Sequence, residues 1–492
     1  MPKPAALLPG VLLASLAWPV AAVPETGGAQ KVPDFSGGWD RMGALVETYE
    51  VIPGHVGAGP LLVDPRHPHV NGSRHLTWAP ALDNPILKSE TLAKLAPIAE
   101  AEIKGIPHIK DEGHCQPSGV PGILNVRGAF ELLQTPTQVT IIHPTDQQVR
   151  RIYLDVPHSP NPGRSWYGES VGHYEGEDTL VVDTIGLNDK TQTDRFGTPH
   201  SDRMHVVERY RVARDHRTLE VQFTVDDPGA FTMPWSARAR FRARPPIFEE
   251  QVCAENNRFV GLVFDAGRPT TTVYTPPSPA MNISGVWWTQ SYSPKIQIVG
   301  GGDLPYNDKG KSQYADNMAG LKDGTLKDEA RRLCVPDGLP RILGNPYPFQ
   351  LIQTPGRVTF VYELNHIIRP IPLDKPQQSA EELEVAPYYS GHSVARWNGD
   401  TLVIESAGFN KKTFIDATGA PHSDAMTTVE LVKKLDDKTL EDVITVTDPT
   451  MFTKPWSARF VYDLRPEVRL EDYVCGEKHR DISMVKGVVV PK

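Results

Sequence analysis

From Val139 onward the chain alternates between apolar and polar positions. The runs Val139–Ile142, Val149–Leu154, Asp178–Thr184, His205–Val212, Leu219–Val225, Trp235–Ala243 and Glu250–Cys253 are short and separated by turn residues. A period of two marks a strand with one face on a core. On His205–Val212, the residues Val206, Glu208, Tyr210 and Val212 share one face, and Val207, Arg209 and Arg211 share the other. The series then returns as Val358–Tyr362, Ile367–Leu373, Asp400–Ser406, Thr427–Lys433, Leu440–Thr447, Trp456–Leu464 and Asp472–Cys475. Connections such as Arg214-Asp215-His216-Arg217 and Asp436-Asp437-Lys438 suit hairpins. Helical spacing is confined to Ile86–Ile103 and to pieces of Gly310–Leu333.

The two series share words as well as rhythm. Gln134-Thr135-Pro136 returns as Gln353-Thr354-Pro355, and Asp178-Thr179-Leu180-Val181 as Asp400-Thr401-Leu402-Val403. Pro199-His200-Ser201-Asp202 returns as Pro421-His422-Ser423-Asp424. Pro234-Trp235-Ser236-Ala237-Arg238 returns as Pro455-Trp456-Ser457-Ala458-Arg459. A chain of 492 residues is too long for one ordinary core. The reading is mainly β: a repeat over 34–258, a Thr/Pro-rich linker over 259–281 and a second repeat over 282–480. Each unit holds about eight antiparallel strands, a count that closes into a barrel and so removes exposed edges.

Each unit opens on a Gly-x-Trp word, Gly37-Gly38-Trp39 and Gly285-Val286-Trp287. These openings resemble lipocalin-type (calycin) barrels, with the departure of a long insertion after the first strand. The words from the cysteines onward resemble duplicated secreted bacterial proteins of uncharacterised function. The likeness implies a cavity for a small, partly apolar molecule; it implies no reaction.

Residues 1–22 read as a signal peptide: Lys3, an apolar stretch from Ala5 to Val20, and the small residues Ala21 and Ala22. The expected location is periplasmic or secreted, with no membrane span. Four cysteines occupy repeat-equivalent places, Cys115 with Cys334 and Cys253 with Cys475. In an oxidising compartment the pairing that respects the repeat is Cys115–Cys253 and Cys334–Cys475, against free thiols as the other reading. The net charge of −9, with both signs interspersed, argues against nucleic acid as a partner. Oligomeric state is not legible.

The chemical candidates are His200 with Glu208 and, in the second repeat, His422 with Glu430. A carboxylate on the apolar face of a strand is costly unless paired or used, and burial raises its pKa toward acid–base work. The structural alternative is a turn-bracing histidine and a glutamate paired with Arg238 or Arg459. His392 is present only in the second repeat, where the first has Glu169. Tyr389, Trp456, Arg459, Trp235 and Arg238 are candidate substrate contacts, the tryptophans being equally readable as core. Gly168-Glu169-Ser170-Val171-Gly172 matches a nucleophile elbow in letters but lacks the strand-to-helix context. No cofactor and no metal site is expected. The functional expectation is an enzyme acting on a small organic molecule by His/Glu acid–base chemistry, such as elimination, hydration or isomerisation. The alternative is a non-catalytic binding protein.

Overall fold

The computed structural model describes residues 32–474 apart from 43–47, 68–77, 107, 109–115, 127, 145–146, 246–249, 251, 253–277, 279–280 and 333–334. The last run of the second series, Asp472–Cys475, is not a strand over its described residues, and neither Glu250 nor Val252 of its counterpart is in one. The other six runs of each series become strands, and with the Gly-x-Trp openings and two further strands per unit they form two sheets of nine. The first holds β1 (Gly37–Arg41), β2 (Phe130–Gln134), β3 (Gln138–His143), β4 (Gln148–Leu154), β5 (Glu169–Glu175), β6 (Thr179–Ile185), β7 (His205–Val212), β8 (Thr218–Asp226) and β9 (Trp235–Arg244). It is a closed barrel in sequence order, β1 returning to pair with β9. The second holds β10 (Gly285–Thr289), β11 (Phe349–Thr354), β12 (Arg357–Tyr362), β13 (Ile368–Pro372), β14 (His392–Asn398), β15 (Thr401–Ala407), β16 (Thr427–Asp436), β17 (Thr439–Thr447) and β18 (Trp456–Leu464). Its hydrogen-bonded order runs from β13 through β12, β11, β10, β18, β17, β16 and β15 to β14.

Two details depart from a simple meander of about eight strands. Each unit has nine, and β4 and β5 are parallel, through Ile152↔Ser170, Tyr153↔Val171 and Leu154↔Gly172. A parallel pair needs a crossover, so the chain between β4 and β5, and likewise between β13 and β14, must run back along the outside of the barrel.

The repeated words acquire physical reasons. The side chain of Gln134 accepts from Phe35 N and donates to Pro33 O, and Gln353 accepts from Ile283 N and donates to Met281 O. Each glutamine thus fixes the entry of its unit's first strand. The indole of Trp39 donates to Phe35 O and that of Trp287 to Ile283 O, both at 2.9 Å. Ser201 and Ser423 bind Asp227 and Asp448 through backbone and hydroxyl together, tying the Pro-His-Ser-Asp loop to the end of the neighbouring hairpin. The helical spacing is realised as α1 (Ser89–Ile103), α2 (Asp308–Asp323) and α3 (Glu329–Arg332), with α4 (Ala380–Val385) in the β13–β14 crossover.

The barrels also pack on each other. β3 is buried at every residue, because its inner face lines the barrel and its outer face meets the other unit. Leu133, Ile142 and Val149 pack with Ile352, Val361 and Ile368, the same repeat positions from each side. Around them Arg357 pairs with Glu131, and Gln138 and Gln350 hydrogen-bond each other at 3.1 Å. The C-terminal tails are exchanged. Val252, at the end of unit 1, packs with Ala330, Val335 and Tyr389 of unit 2. Val474, its counterpart, belongs to the core of unit 1. Glu250 accepts from Tyr389 N, and Asp472 from Tyr167 N, again equivalent positions. The units are thus joined by a packed face and by both tails. All four cysteines, and the linker apart from Ser278 and Met281, lie outside the described residues.

Candidate functional site

In each barrel one strand brings an arginine to the interior and another brings the glutamate that meets it. Arg150 on β4 faces inward with Ile152 and Leu154, and Glu208 on β7 with Val206 and Tyr210. Their side chains have no exposed surface and form a bidentate pair, with Arg150 Nη1 to Glu208 Oε1 at 2.9 Å. The remaining guanidinium donors go to Ser170, Thr184 and the hydroxyl of Tyr210, which in turn donates to Glu208 at 3.0 Å. A buried ion pair contributes little net stability, but removing one partner costs about 3–5 kcal/mol. Here every donor of the arginine is used. The interior is further filled by Tyr49, whose ring lies 4.6 Å from that of Phe223.

The second barrel keeps the pair and changes its surroundings. Arg369 on β13 binds Glu430 on β16 through Nη2 at 2.7 Å and Nη1 at 3.1 Å, and reaches Ser393 at 3.2 Å. Tyr210 is replaced by Val432, Val221 by Asp442, Val206 by Thr428 and Phe223 by Ile444. Asp442 is fully buried and lies opposite Val432 in the register. Burial first, and then the negative charge of Glu430, push its carboxyl well above the ordinary range, which favours the protonated acid. Tyr362, on β12, is likewise raised by burial, with its hydroxyl against the Arg369 guanidinium. Burial pulls Arg369 down, but Glu430 and Tyr362 more than offset it and the guanidinium stays charged. Four buried polar atoms of this cluster have no hydrogen-bond partner among the described residues: Arg369 Nε, Tyr362 Oη, Thr428 Oγ1 and Asp442 Oδ1. Each such atom costs about 1–3 kcal/mol unless something fills the place. The indole N–H of Trp456 is also unpartnered, but so is that of Trp235, and it does not distinguish the barrels.

The expected His–Glu partnership is not formed. His200 uses its ring nitrogens on Thr191 Oγ1 at 2.7 Å and Ser201 O at 3.0 Å. His422 repeats this with Thr413 and Ser423, both at 3.2 Å. Both oxygens of Glu208 and of Glu430 are taken by the arginine instead. Burial holds both histidines below their usual range, so they brace their loops as neutral rings. Arg238 and Arg459, the partners proposed for the glutamates, lie on the outer face and pair with Glu50 and Glu220, and with Glu441. Trp235 and Trp456 are buried in their cores, and Tyr389 supports the exchanged tail. Ser170 sits on β5 between Arg150 and Thr184, not on an elbow. His392 opens β14, donates through Nε2 to Ala386 O at 2.6 Å and stacks on Tyr388 with ring centres 4.0 Å apart. Among the described residues no group of three or more His, Cys, Asp or Glu side chains is arranged to hold a metal ion. Arg150, Arg369 and Asp442 were missed. The available signal was an inward-facing arginine in both copies of an alternating strand.

No protein-family model matches the chain, and no curated protein does. Among solved structures, a DUF3598-family protein of unknown function from Nostoc punctiforme aligns over 68% of this chain and 87% of its own at 10% identity and a TM-score of 0.14. A dehydratase-cyclase domain of ambruticin biosynthesis aligns over 81% and 94% at 10% identity and a TM-score of 0.10. A hot dog fold protein from Alicyclobacillus acidocaldarius aligns over 68% and 96% at 11% identity and a TM-score of 0.09. At such scores these likenesses carry no argument. The class defined by the fold itself is a tandem β-barrel protein. Among the described residues no helix is long and apolar enough to cross a membrane.

Proposed function

We propose that the second barrel binds a small, partly apolar organic molecule, with a carbonyl or hydroxyl group seated among Arg369, Thr428 and Asp442. The observation that carries the reading is the set of four unpartnered polar atoms around Arg369, where the equivalent Arg150 of the first barrel has every donor used. The charges are already balanced, Arg369 against Glu430 with Asp442 neutral, so the ligand is uncharged at its polar end. Phe360, which the Arg369 guanidinium overlies at 5.3 Å, and Ile444 supply apolar wall. Ligand-observed NMR with small cyclic ketones, alcohols and phenols tests this on the full chain. The variant T428V/V432Y/D442V, which installs the first barrel's residues, should weaken binding at least about tenfold, the worth of one or two hydrogen bonds. Equal binding by both proteins would remove the basis of the reading.

A second reading, catalysis, is favoured by the Asp442–Glu430 pair. A protonated acid beside a carboxylate can deliver and recover a proton without a cofactor, as elimination, hydration or isomerisation requires. In that reading Asp442 takes the role first expected of His422, and Asp442→Asn should abolish turnover while retaining binding.

Export and disulfides belong to the same proposal. Val252 and Val335 share one apolar cluster, and they precede Cys253 and follow Cys334 in sequence. We therefore favour Cys253–Cys334 with Cys115–Cys475, between repeats, over pairing within each repeat. Non-reducing peptide mapping separates the two, and linked Cys115–Cys253 peptides would overturn the choice.

A further inference from the structure

The second barrel is not sealed as the first is, and the reason is two prolines. In the first barrel Leu154 N donates to Thr137 O on the β3 side at 2.9 Å, and Asp155 N donates to Gly172 O on the β5 side at 2.8 Å. Amides alternate in direction along a strand, so those of Arg151 and Tyr153 also face β5. In the second barrel Leu373 N donates to Gly356 O and Asp374 N to Ala395 O, both at 2.8 Å, which fixes the same alternation. The residues matching Arg151 and Tyr153 are Pro370 and Pro372. Neither has an N–H to give. Three residue pairs join β4 to β5, whereas β13 and β14 meet in the single bridge Leu373↔Ala395.

The unzipped stretch lies beside the polar cluster. Arg369 is next to Pro370, and its guanidinium crosses the gap to Ser393 on β14, which hydrogen-bonds Ser406 at 2.8 Å. Outside, the gap is spanned by the crossover that carries α4. That helix buries none of its residues. The crossover is held by Gln377 to His392 O at 2.9 Å, by His392 to Ala386 O and by the Tyr388–His392 stack, and its C-terminal end is anchored by backbone hydrogen bonds from Tyr388 N to Gly408 O and from Asn410 N to Tyr388 O, both at 2.9 Å.

We propose that the β13–β14 seam is the portal through which the ligand reaches the Arg369–Asp442 cluster, with the α4 crossover as its cover. This rests on the binding reading above. Opening the seam breaks one backbone bridge and the Arg369–Ser393 contact; opening any other pair of neighbouring strands breaks a continuous ladder.

Two variants of the full chain test it. P370A/P372A restores both donors. Hydrogen exchange should show the two new amides protected at least about tenfold relative to an exposed strand, and ligand release should slow by a similar factor with affinity changed less. P372C/V394C places cysteines where Tyr153 and Val171 face each other in the first barrel. Once the bond is confirmed by peptide mapping, oxidation should block uptake of the NMR-active ketone or phenol and reduction should restore it. Failure of every compound to bind the wild-type chain sinks the binding reading itself. Binding with uptake and release unchanged in the closed cross-linked form sinks the portal alone.

Discussion

The two barrels keep the same buried arginine and glutamate and differ in what surrounds them. In the first, Tyr210, Ser170 and Thr184 use every remaining donor of Arg150, and Tyr49 packs against Phe223. In the second, Asp442 and Thr428 replace valines, a tyrosine becomes Val432, and polar atoms are left over. The closure differs in the same direction: a laddered parallel pair in one, a single bridge in the other. One copy is filled and shut; the other, on the proposal above, holds a ligand and opens. Duplication permits this because a buried ion pair sets the strand positions in both copies while the neighbouring residues are free to diverge.

The sharpest way to break the comparison is to remove the glutamate from each barrel. Glu208→Gln leaves Arg150 as an uncompensated buried charge and should cost about 3–5 kcal/mol in denaturant unfolding. Glu430→Gln should cost less, because Asp442 can give up its proton and take over the pairing. Adding Asp442→Asn to Glu430→Gln should restore the full loss. Equal costs for the two single variants would show that Asp442 is not coupled to the pair.

The exchanged tails come next. Asp472→Ala deprives Tyr167 N of its acceptor, and Glu250→Ala does the same to Tyr389 N. Each should destabilise by about 1–3 kcal/mol, and thermal unfolding should show both barrels affected by either change. A loss confined to one barrel would mean that the tails do not couple the units.

The pH dependence follows from Asp442. Its folded pKa is raised, so the folded state holds a proton that the unfolded chain releases once the pH exceeds the ordinary carboxyl value. The associated stability is fully present below that value and declines as pH rises toward the folded pKa, with a slope of at most about 1.4 kcal/mol per pH unit. Asp442→Asn should flatten this decline, and Val221→Ala at the equivalent place should not. Denaturation series from pH 4 to pH 8 compare them.

The smallest effect is expected on the outer faces. Arg459 and Glu441 form a partly exposed pair, and Arg459→Ala should change stability by about 0–1 kcal/mol and leave ligand binding unaltered. Loss of binding on that substitution would return Arg459 to the site.

Much of the fold was legible because alternation and turn residues act over a few positions. Most strand positions and the inward face of Glu208 and Glu430 follow from the period of two, and the unit starts from the repeated Gly-x-Trp word, while β2, β5, β11 and β14 are not among the expected runs. The histidines were legible as repeated residues but not in their role, since the threonines they bind arrive from earlier in each loop. The sequence offers Arg238 and Arg459 as the glutamates' partners, but both lie on the outer face, Arg238 covered by Glu50 and Glu220 and Arg459 paired with Glu441. Arg150 and Arg369 lie far from the glutamates in sequence, and only closure of each sheet into a barrel brings β4 onto β7 and β13 onto β16. By itself the sequence determined most of the strands, the duplication and the inward face of the strands it marks, because these depend on local backbone periodicity and on repeated words. The tertiary structure alone decided which inward charges meet, which polar atoms are left without partners and which tail lies on which barrel, because these depend on how distant strands curve together.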